Sequence, residues 1–592
     1  MLFYRAAVVE FAPNTITDVE RRLIESFAEY IKFIKQAADQ GADIIVFPEG
    51  GLTGVQLTRK EIDKIAIRIV NNNNQTLCLN LNKTYNQFLT SLSCAARNNK
   101  IYVVVNIIEK DDYKENYIYY STNIVFSKEG KIIARYRKIN LYTDELSLTK
   151  GNSLTTFNTD FGVDFGIFTS NDIMYQNPSL TVLQNSNISN VIYSAAWYPT
   201  TSFFTANGIQ HGYAKSNGVN LLAAGLCNPS KQNGGSGIYL HTGEISQQYI
   251  CSRNVSKILV ADIPIIESRR NLLHTCQNKT TTIYTKNENV LDISGVNISN
   301  YNHKVTSLNL EKNEVTETLC GIEHDFCCTF NIVFNVTGVP NYYYKLVVYK
   351  DTLSIPFEGC GLITCLNSNI ESCGKRNKFP PSGITFSYIS IETVSLIKDE
   401  DRPVMLLEDL TASNNYNYCK QKTGRKVNIT MSTVDKENHF LVFGIFILGY
   451  NLDDSNGFVN FNAALMKIAA IGGFATASMG YAAYYKINSN ISRTQYYQDA
   501  ISTLKSHSGV IYLLGNPISV GKIDVGDEKR NWCKPLSVHF EVPVKGSKEK
   551  GVLYFWARRE SDIDNWIVNR MELQLQKEPH RRLLIKNIEI NL

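Results

Sequence analysis

Three polar side chains follow short apolar segments of the sequence, and together they could perform nucleophilic catalysis. Glu49 follows VFP, Lys138 follows RYR and Ser170 follows FGIFT. Sites in α/β proteins are commonly built where strands end. If the three side chains meet, the carboxylate is a candidate base, the ammonium a candidate oxyanion stabiliser and the hydroxyl a candidate nucleophile. Singly, each also has an ordinary interpretation, as a helix-start carboxylate, a solvated lysine and a turn residue.

The elements that would position these side chains lie in residues 1–275. Short apolar segments recur there as RAAVVEF, DIIVFPE, IYVVVNI, TNIVFS, VDFGIFT, NVIYSAAW and NLLAAGL. Between the first two, residues 18–38 show helical spacing of Leu23, Phe27, Ile31 and Ile34, with Thr17 or Asp18 as the N-cap. Repeated strand and helix signals with nearly continuous apolar strands predict an α/β fold with buried sheets.

Residues 276–455 lose the helical period and are predicted to form a β-rich domain, with strands such as YYYKLVVYK and KVNITMSTV. Seven of the 13 cysteines lie between residues 320 and 419 of this part: Cys320, Cys327, Cys328, Cys360, Cys365, Cys373 and Cys419. Their spacings do not give the paired C-x-x-C of a zinc site. We therefore expect disulfides formed in an oxidising compartment, and neither a metal nor another cofactor.

Eight of the nine N-x-S/T sequons lie in residues 1–450 and agree with an extracellular or membrane-anchored location for that part. The nine are Asn74, Asn82, Asn187, Asn254, Asn278, Asn297, Asn335, Asn428 and Asn490. An asparagine-rich chain also forms such sequons by chance, so some are expected to be unused. The first residues, MLFYRAAVVEFAP, lack the features of a secretion signal and predict a first β-strand.

The third part, residues 456–592, contains an uncharged stretch at 468–485, IAAIGGFATASMGYAAYY. Its 18 residues are near the lower limit for a membrane-spanning helix, so a membrane anchor and a buried helix both stay open. A helix over 492–507 and strands in LSVHFEV, GVLYFWARR and IVNRMELQLQ predict a small α+β module after it.

The overall composition fits a folded protein of several domains. The chain has 592 residues, with 44% hydrophobic and 19% charged residues, which excludes general disorder and a single core. A net charge of +5 and the absence of a basic stripe with interleaved aromatic residues give no reason to expect nucleic-acid binding.

Taken in order, VFPEGG, RYRKINLY and FGIFTSND resemble the nitrilase superfamily of carbon–nitrogen hydrolases, especially its vanin and biotinidase branch. AAWYPT, GGSGIY, TLCGIEHDFCC and GCGLITCLNSNIESCG resemble segments of the same branch, so the likeness covers about residues 1–450. It implies a four-layer α-β-β-α sandwich, Glu49 as general base, Lys138 as the catalytic lysine and position 170 as the site of a cysteine nucleophile. The implied partner is a small amide such as pantetheine or biotinyl-lysine.

The sequence departs from that branch at the nucleophile, because Ser170-Asn171 stands where Cys-Phe is expected. A thiol near pKa 8.5 can be ionised beside a carboxylate, whereas an alkyl hydroxyl is roughly five units, or about 7 kcal/mol, harder to ionise. Serine hydrolases use a histidine base, and His211 is the one nearby candidate in sequence. We therefore favour a hydrolase fold with little or no amidase activity. An active amidase of pantetheine or biotinyl-lysine is the alternative.

Residues 464–585 resemble a different family, cytochrome c oxidase assembly factor 1, through YYQDAISTLKSH, LLGNPISV and VPVKGSKEKGVLYFWARRESDIDNWIVNRMELQL. That resemblance implies the mitochondrial inner membrane and a role in assembling respiratory complex IV. A disulfide-rich ectodomain and a mitochondrial factor belong to different compartments. Either two neighbouring genes were joined in one chain, which we favour, or the fusion is natural.

Overall fold

A computed structural model of the chain describes residues 2–69, 76–79, 86–113, 116–142, 144–186, 188–199, 204–231, 233–266, 276–277, 302–321, 326–351, 357–374, 382–396, 399–449, 491, 494–523, 530–534, 536–559, 566–578 and 580–588. The chain divides into two compact units, Met1–Leu452 and Asp453–Leu592.

The first unit begins with two six-stranded sheets. The strands of one are β1 (Phe3–Glu10), β2 (Ile44–Val46), β3 (Tyr102–Tyr113), β4 (Asn116–Phe126), β5 (Ile132–Arg137) and β12 (Lys257–Pro264). Those of the other are β6 (Thr156–Asn158), β7 (Asp164–Thr169), β8 (Asn190–Ala195), β9 (Asn220–Gly225), β10 (Ser236–Tyr239) and β11 (Ile245–Tyr249). The orders are β12-β1-β2-β3-β4-β5 and β11-β10-β9-β8-β7-β6. The strands β1, β2 and β3 run parallel, as do β7, β8 and β9, so polar residues at their carboxyl ends gather at one edge of each sheet.

Helices cover the outer faces of both sheets. They are α1 (Val19–Asp39), α2 (Arg59–Ile65), α3 (Gln87–Asn99), α4 (Gln176–Ser179), α5 (Thr181–Ser186) and α6 (Ala206–Asn217). The first three share a core with the first sheet, and α6 packs on the second sheet. Between the sheets, the Tyr4 hydroxyl donates to Asn190 Oδ1 at 3.0 Å. The predicted α-β-β-α sandwich is confirmed, and so is the N-cap Asp18, whose side chain accepts the Arg21 N–H.

The next part of the first unit is a β-sandwich. Its strands are β13 (Cys276–Gln277), β14 (Asn302–Ser307), β15 (Glu314–Cys320), β16 (Cys327–Val336), β17 (Tyr343–Asp351), β18 (Phe357–Cys365), β19 (Ile384–Leu396), β20 (Glu400–Leu407), β21 (Tyr416–Thr423), β22 (Lys426–Thr433) and β23 (Phe440–Leu448). They form two antiparallel sheets, ordered β13-β21-β22-β19-β16-β15 and β14-β17-β18-β23-β20, around a common apolar core. The other face of the second of these sheets packs against the α/β sandwich through α6.

Disulfide bonds connect strands, helices and loops of the first unit. The pairs are Cys78–Cys94, Cys227–Cys251, Cys320–Cys327, Cys328–Cys360 and Cys365–Cys373. Cys419 is disulfide-bonded as well. The expected disulfides are therefore confirmed, and six of the seven clustered cysteines pair with one another inside the β-rich domain.

The second unit is a small α+β module, as the sequence predicts. Its elements are α7 (Gln495–Ser506), α8 (Ser508–Leu514), β24 (Ser519–Val520), β25 (Trp532–Lys534), β26 (Ser537–Lys545), β27 (Lys550–Arg558), β28 (Ile567–Leu575) and β29 (Arg582–Asn587). The helices pack on an antiparallel sheet whose main path is β24-β26-β27-β28-β29. The proposed anchor at 468–485 lies outside the described residues. Among the helices that are described, none combines the length and hydrophobicity that crossing a bilayer requires.

Candidate active site

Two of the predicted site residues are in direct contact inside the α/β sandwich. Glu49 follows β2, and the chain turns away at Gly50, whose φ of +66° and contact with Gly54 suit glycine alone. Lys138 follows β5 directly, and its Nζ lies 3.0 Å and 3.1 Å from the two carboxylate oxygens of Glu49. A second carboxylate, Glu145, holds the same ammonium at 2.8 Å and 2.9 Å. The result is a buried Glu–Lys–Glu cluster.

The electrostatics of this cluster keep the lysine charged. Burial by itself would lower the pKa of Lys138, but Glu49 and Glu145 outweigh it, and the pKa lies above its usual value. Burial, and then the negative charge of Glu49, raise the pKa of Glu145. One cation therefore serves two carboxyl groups, and it is fixed where it could stabilise a developing oxyanion.

A chain of buried hydrogen bonds connects Glu49 to the end of β7. The Ser121 hydroxyl donates to Glu49 Oε1 at 2.7 Å and accepts from Asn106 Nδ2 at 3.1 Å. Asn106 also donates to Asn123 Oδ1 at 3.0 Å, and Asn123 donates to the Thr169 hydroxyl at 3.0 Å. Thr169 immediately precedes Ser170, so the network brings all three predicted strand-end residues to one region.

Ser170 begins a turn of 3-10 helix, Ser170–Met174, and its φ of +42° is uncommon for a residue with a side chain. The residue is fully buried. Its Oγ accepts the Ala196 N–H at 2.7 Å, and its carbonyl accepts the Tyr193 hydroxyl at 2.9 Å. In the described part of the chain, no carboxylate or imidazole accepts the Ser170 hydroxyl proton at hydrogen-bond distance.

Asp172 holds this turn in place through hydrogen bonds to its buried carboxylate. Its carboxylate accepts from the Tyr136 hydroxyl at 2.6 Å, from Asn140 N–H at 2.7 Å and from Thr169 N–H at 3.1 Å. Burial raises the pKa of Asp172 to about 6. Arg402, on β20 of the β-sandwich, donates to the carbonyl of Ile173 in the same turn. Both domains of the first unit therefore hold the backbone that presents Ser170.

His211 does not serve this site. On α6, its Nε2 lies 2.9 Å from the Gly243 carbonyl and its Nδ1 lies 3.4 Å from the Tyr416 hydroxyl. Burial, helped by the charge of Lys215, lowers the pKa of His211 to about 3. The one histidine considered from sequence as a base for Ser170 is thus a neutral side chain engaged elsewhere.

A cavity of about 40 Å³ reaches the cluster from the side of Gln56 and Asp144. Glu49, Glu145 and Ser121 line it, and Ser170 does not. This volume is far below the roughly 300 Å³ or more that is usual for a ligand pocket. An amide ligand therefore requires the site to open further.

Sequence reasoning missed several members of this site. Glu145 lies seven residues after Lys138 in an irregular segment, and its spacing carries no periodic signal. Asn106 had a usable signal, because an amide inside the apolar strand IYVVVNI must find partners when it is buried. Asp172 also follows an apolar strand and could have been chosen on that ground.

Comparison with known proteins gives matches along most of the chain. Residues 5–269 match the family model for carbon-nitrogen hydrolase, and residues 295–453 match the Vanin C-terminal domain. Vanin-like protein 3 of Drosophila melanogaster is 30% identical over 396 residues, which are 63% of this chain and 73% of that protein. The chain belongs to the vanin-like carbon–nitrogen hydrolases.

Other vanin-like relatives extend the same likeness. Vanin-like protein 2 of Drosophila melanogaster is 28% identical over 496 residues, covering 76% of this chain and 90% of that protein. Pantetheinase of Homo sapiens is 28% identical over 398 residues, covering 63% of this chain and 76% of that enzyme.

Beyond the vanin-like part, residues 468–584 match cytochrome oxidase complex assembly protein 1. Both family resemblances found in the sequence are confirmed.

Proposed function

We propose that the vanin-like part of this chain binds small amides and hydrolyses them slowly or not at all. The observation that carries the proposal is the environment of Ser170. Its Oγ accepts an N–H from Ala196, and no base among the described residues takes its proton. An unactivated hydroxyl is a weak nucleophile at neutral pH. Active hydrolysis of pantetheine or biotinyl-lysine is the alternative function.

The rest of the site supports ligand binding. Glu49, Lys138 and Glu145 form a charged, buried group next to the strand end that carries Ser170. In this proposal Glu49 is the base and Lys138 the oxyanion stabiliser of the ancestral reaction. Burying such a cluster costs free energy of folding, because the charged groups lose their hydration. A bound amide, with its polar carbonyl and N–H, provides a use for it.

We expect purified protein to bind pantetheine without releasing pantothenate. Calorimetry would measure binding, and chromatography would measure pantothenate during a long incubation. Ser170→Ala should bind pantetheine within about threefold of wild type, because it removes only one hydrogen bond to a ligand. Wild-type turnover that Ser170→Ala abolishes would establish the active-amidase alternative instead.

For location, we propose an oxidising, extracellular or membrane-anchored setting for residues 1–450. The five cysteine pairs named above and the disulfide-bonded Cys419 support this. Asn254, Asn335 and Asn428, the sequons within the described residues, are all exposed.

For residues 468–584 we propose a role as a respiratory complex IV assembly factor, on the family match alone. Because the two locations conflict, we also propose that the two parts are separate proteins in the cell. Intact-mass analysis with peptide mapping of native material should find the C-terminal peptides in a small protein that lacks the vanin-like peptides. One glycosylated species containing both would refute the separation.

A further inference from the structure

Four buried polar atoms beside the Ser170 region lack a partner at hydrogen-bond geometry within the described part of the chain. They are the hydroxyls of Tyr142 and Tyr198 and both side-chain atoms of Asn233, Oδ1 and Nδ2. Nearly all buried polar groups in folded proteins are hydrogen-bonded, so such a group needs an explanation. Here the three side chains are neighbours, so a single bound group could supply the missing hydrogen-bond partners of all four atoms.

The two tyrosines border the Glu–Lys–Glu cluster. The Tyr142 ring lies 4.6 Å from Lys138 Nζ and packs edge-on to the Tyr198 ring at 6.5 Å. Tyr198 is two residues beyond Ala196, the donor to Ser170 Oγ, so its Cα lies within about 7 Å of that donor's Cα. Both tyrosines lie near enough to Glu49 and Glu145 for these carboxylates to contribute to the raised pKa of each hydroxyl.

Asn233 stands next to Tyr198. Burial raises the pKa of Tyr198 to about 12, and a polar interaction with the Asn233 side chain, outside normal hydrogen-bond geometry, acts in the opposite direction. At such a pKa Tyr198 is neutral at physiological pH. The group thus carries no formal charge, but it offers both donors and acceptors.

The backbone of Asn233 is firmly held. Two hydrogen bonds pair it with Asn228, at 3.0 Å and 2.9 Å. The nearby Gly235, at φ +122°, donates its N–H to the buried carboxylate of Glu10 at 2.9 Å. The Cys227–Cys251 disulfide fixes the same loop. A rigidly placed amide whose side-chain atoms have no hydrogen-bond partner at good geometry is preorganised for a ligand.

We propose that Asn233, with Tyr142 and Tyr198, forms a second subsite that binds a carboxamide of the ligand other than the one placed at Ser170. This inference rests on the proposed amide-binding function. An asparagine side chain presents an acceptor and a donor side by side, which matches the N–H and C=O of an amide. The tyrosine hydroxyls complete the shell, because each can donate or accept.

The test compares two probes by calorimetry. Pantetheine has two amide groups, whereas N-acetylcysteamine has one, equivalent to the amide expected at Ser170. Asn233→Leu is nearly isosteric and should weaken pantetheine binding about tenfold or more, while changing N-acetylcysteamine affinity less than about twofold. Tyr198→Phe should weaken pantetheine binding about three- to fivefold. It provides the same test if Asn233→Leu fails to fold.

Stability provides the control. Asn233→Leu removes two unpartnered buried atoms, so the unliganded variant should melt at or above the wild-type temperature. Ser26→Ala removes another unpartnered buried hydroxyl, on α1, and should leave both affinities unchanged.

Unchanged pantetheine affinity in Asn233→Leu and Tyr198→Phe, or equal losses for both probes, would overturn the second subsite. A wild type that binds neither probe would instead refute the amide-binding function on which it rests.

Discussion

Replacing Ser170 with cysteine should give this protein a measurable amidase activity. Cysteine is nearly the same size, and the turn that carries position 170 is fixed by Asp172 and Arg402. The Ala196 N–H that now reaches Oγ at 2.7 Å would donate to a thiolate and favour its formation. The substitution therefore supplies a nucleophile that ionises far more easily than the serine hydroxyl.

The amidase activity of Ser170→Cys should stay below that of a site with the complete family pattern. Thiol ionisation is easier than hydroxyl ionisation by about 7 kcal/mol. Asn171 still departs from the family pattern beside the nucleophile, where losing one oxyanion donor costs roughly 3 to 4 kcal/mol. Both proteins carry Asn171, so this cost holds the cysteine variant below a complete family site but does not reduce its gain over wild type. The ionisation difference sets an upper limit of roughly 10⁵-fold on that gain, and we expect at least roughly 10²-fold.

Pantothenate release from pantetheine, with biotinyl-lysine as a second substrate, would measure this gain. Ser170→Cys/Asn171→Phe should be faster than Ser170→Cys alone. The triple change that adds Glu49→Gln should lose the activity again, because the proposed base is gone. If both cysteine variants fold and neither turns over, the defect lies elsewhere in the pocket.

Lys138→Met should destabilise the fold by about 3 to 5 kcal/mol at pH 8, because it leaves Glu49 and Glu145 buried without their common cation. Burial and Glu49 already raise the pKa of Glu145, and loss of the ammonium raises it further. The folded variant would then bind more protons than the unfolded chain at mildly acidic pH. Its free energy of unfolding should fall as the pH rises, so the loss should be smaller at pH 5 than at pH 8.

Denaturant unfolding at the two pH values would measure this effect. Lys35→Met is the matched control, since Lys35 pairs with Asp39 at 2.7 Å on the exposed surface of α1. An exposed pair contributes at most about 1 kcal/mol, so that variant should stay near wild type at both pH values. Equal losses in Lys35→Met and Lys138→Met would show that the Glu–Lys–Glu cluster does not stabilise the fold as the geometry implies.

Much of the framework could be predicted from the sequence because its signals are local. The apolar segments RAAVVEF, VDFGIFT and NVIYSAAW became β1, β7 and β8, and Asp18 caps α1 through its own side chain. Strand ends are common places for sites, which made Glu49, Lys138 and Ser170 candidates, and the family resemblance of their three segments grouped them.

The rest of the site depends on contacts between distant residues that local patterns do not encode. Glu145 reaches Lys138 from an irregular segment, and Asn106 connects to Glu49 through Ser121 on another strand. His211 lies 41 residues after Ser170, yet its partners are Gly243 and Tyr416. The pairing of Cys328 with Cys360 likewise follows from two strands meeting in the folded domain, which cysteine spacing cannot specify.

The most direct test of the central claim is intact-mass spectrometry after rapid mixing with pantetheine. In a hydrolase of this family type, the nucleophile attacks the amide carbonyl, the C–N bond breaks and the amine leaves with the proton. The protein then carries the pantothenoyl group as an ester or thioester. We predict a thioester adduct at position 170 of the Ser170→Cys variant and an unmodified mass for wild type. A pantothenoyl ester mapped to Ser170 in the wild-type protein would contradict the account.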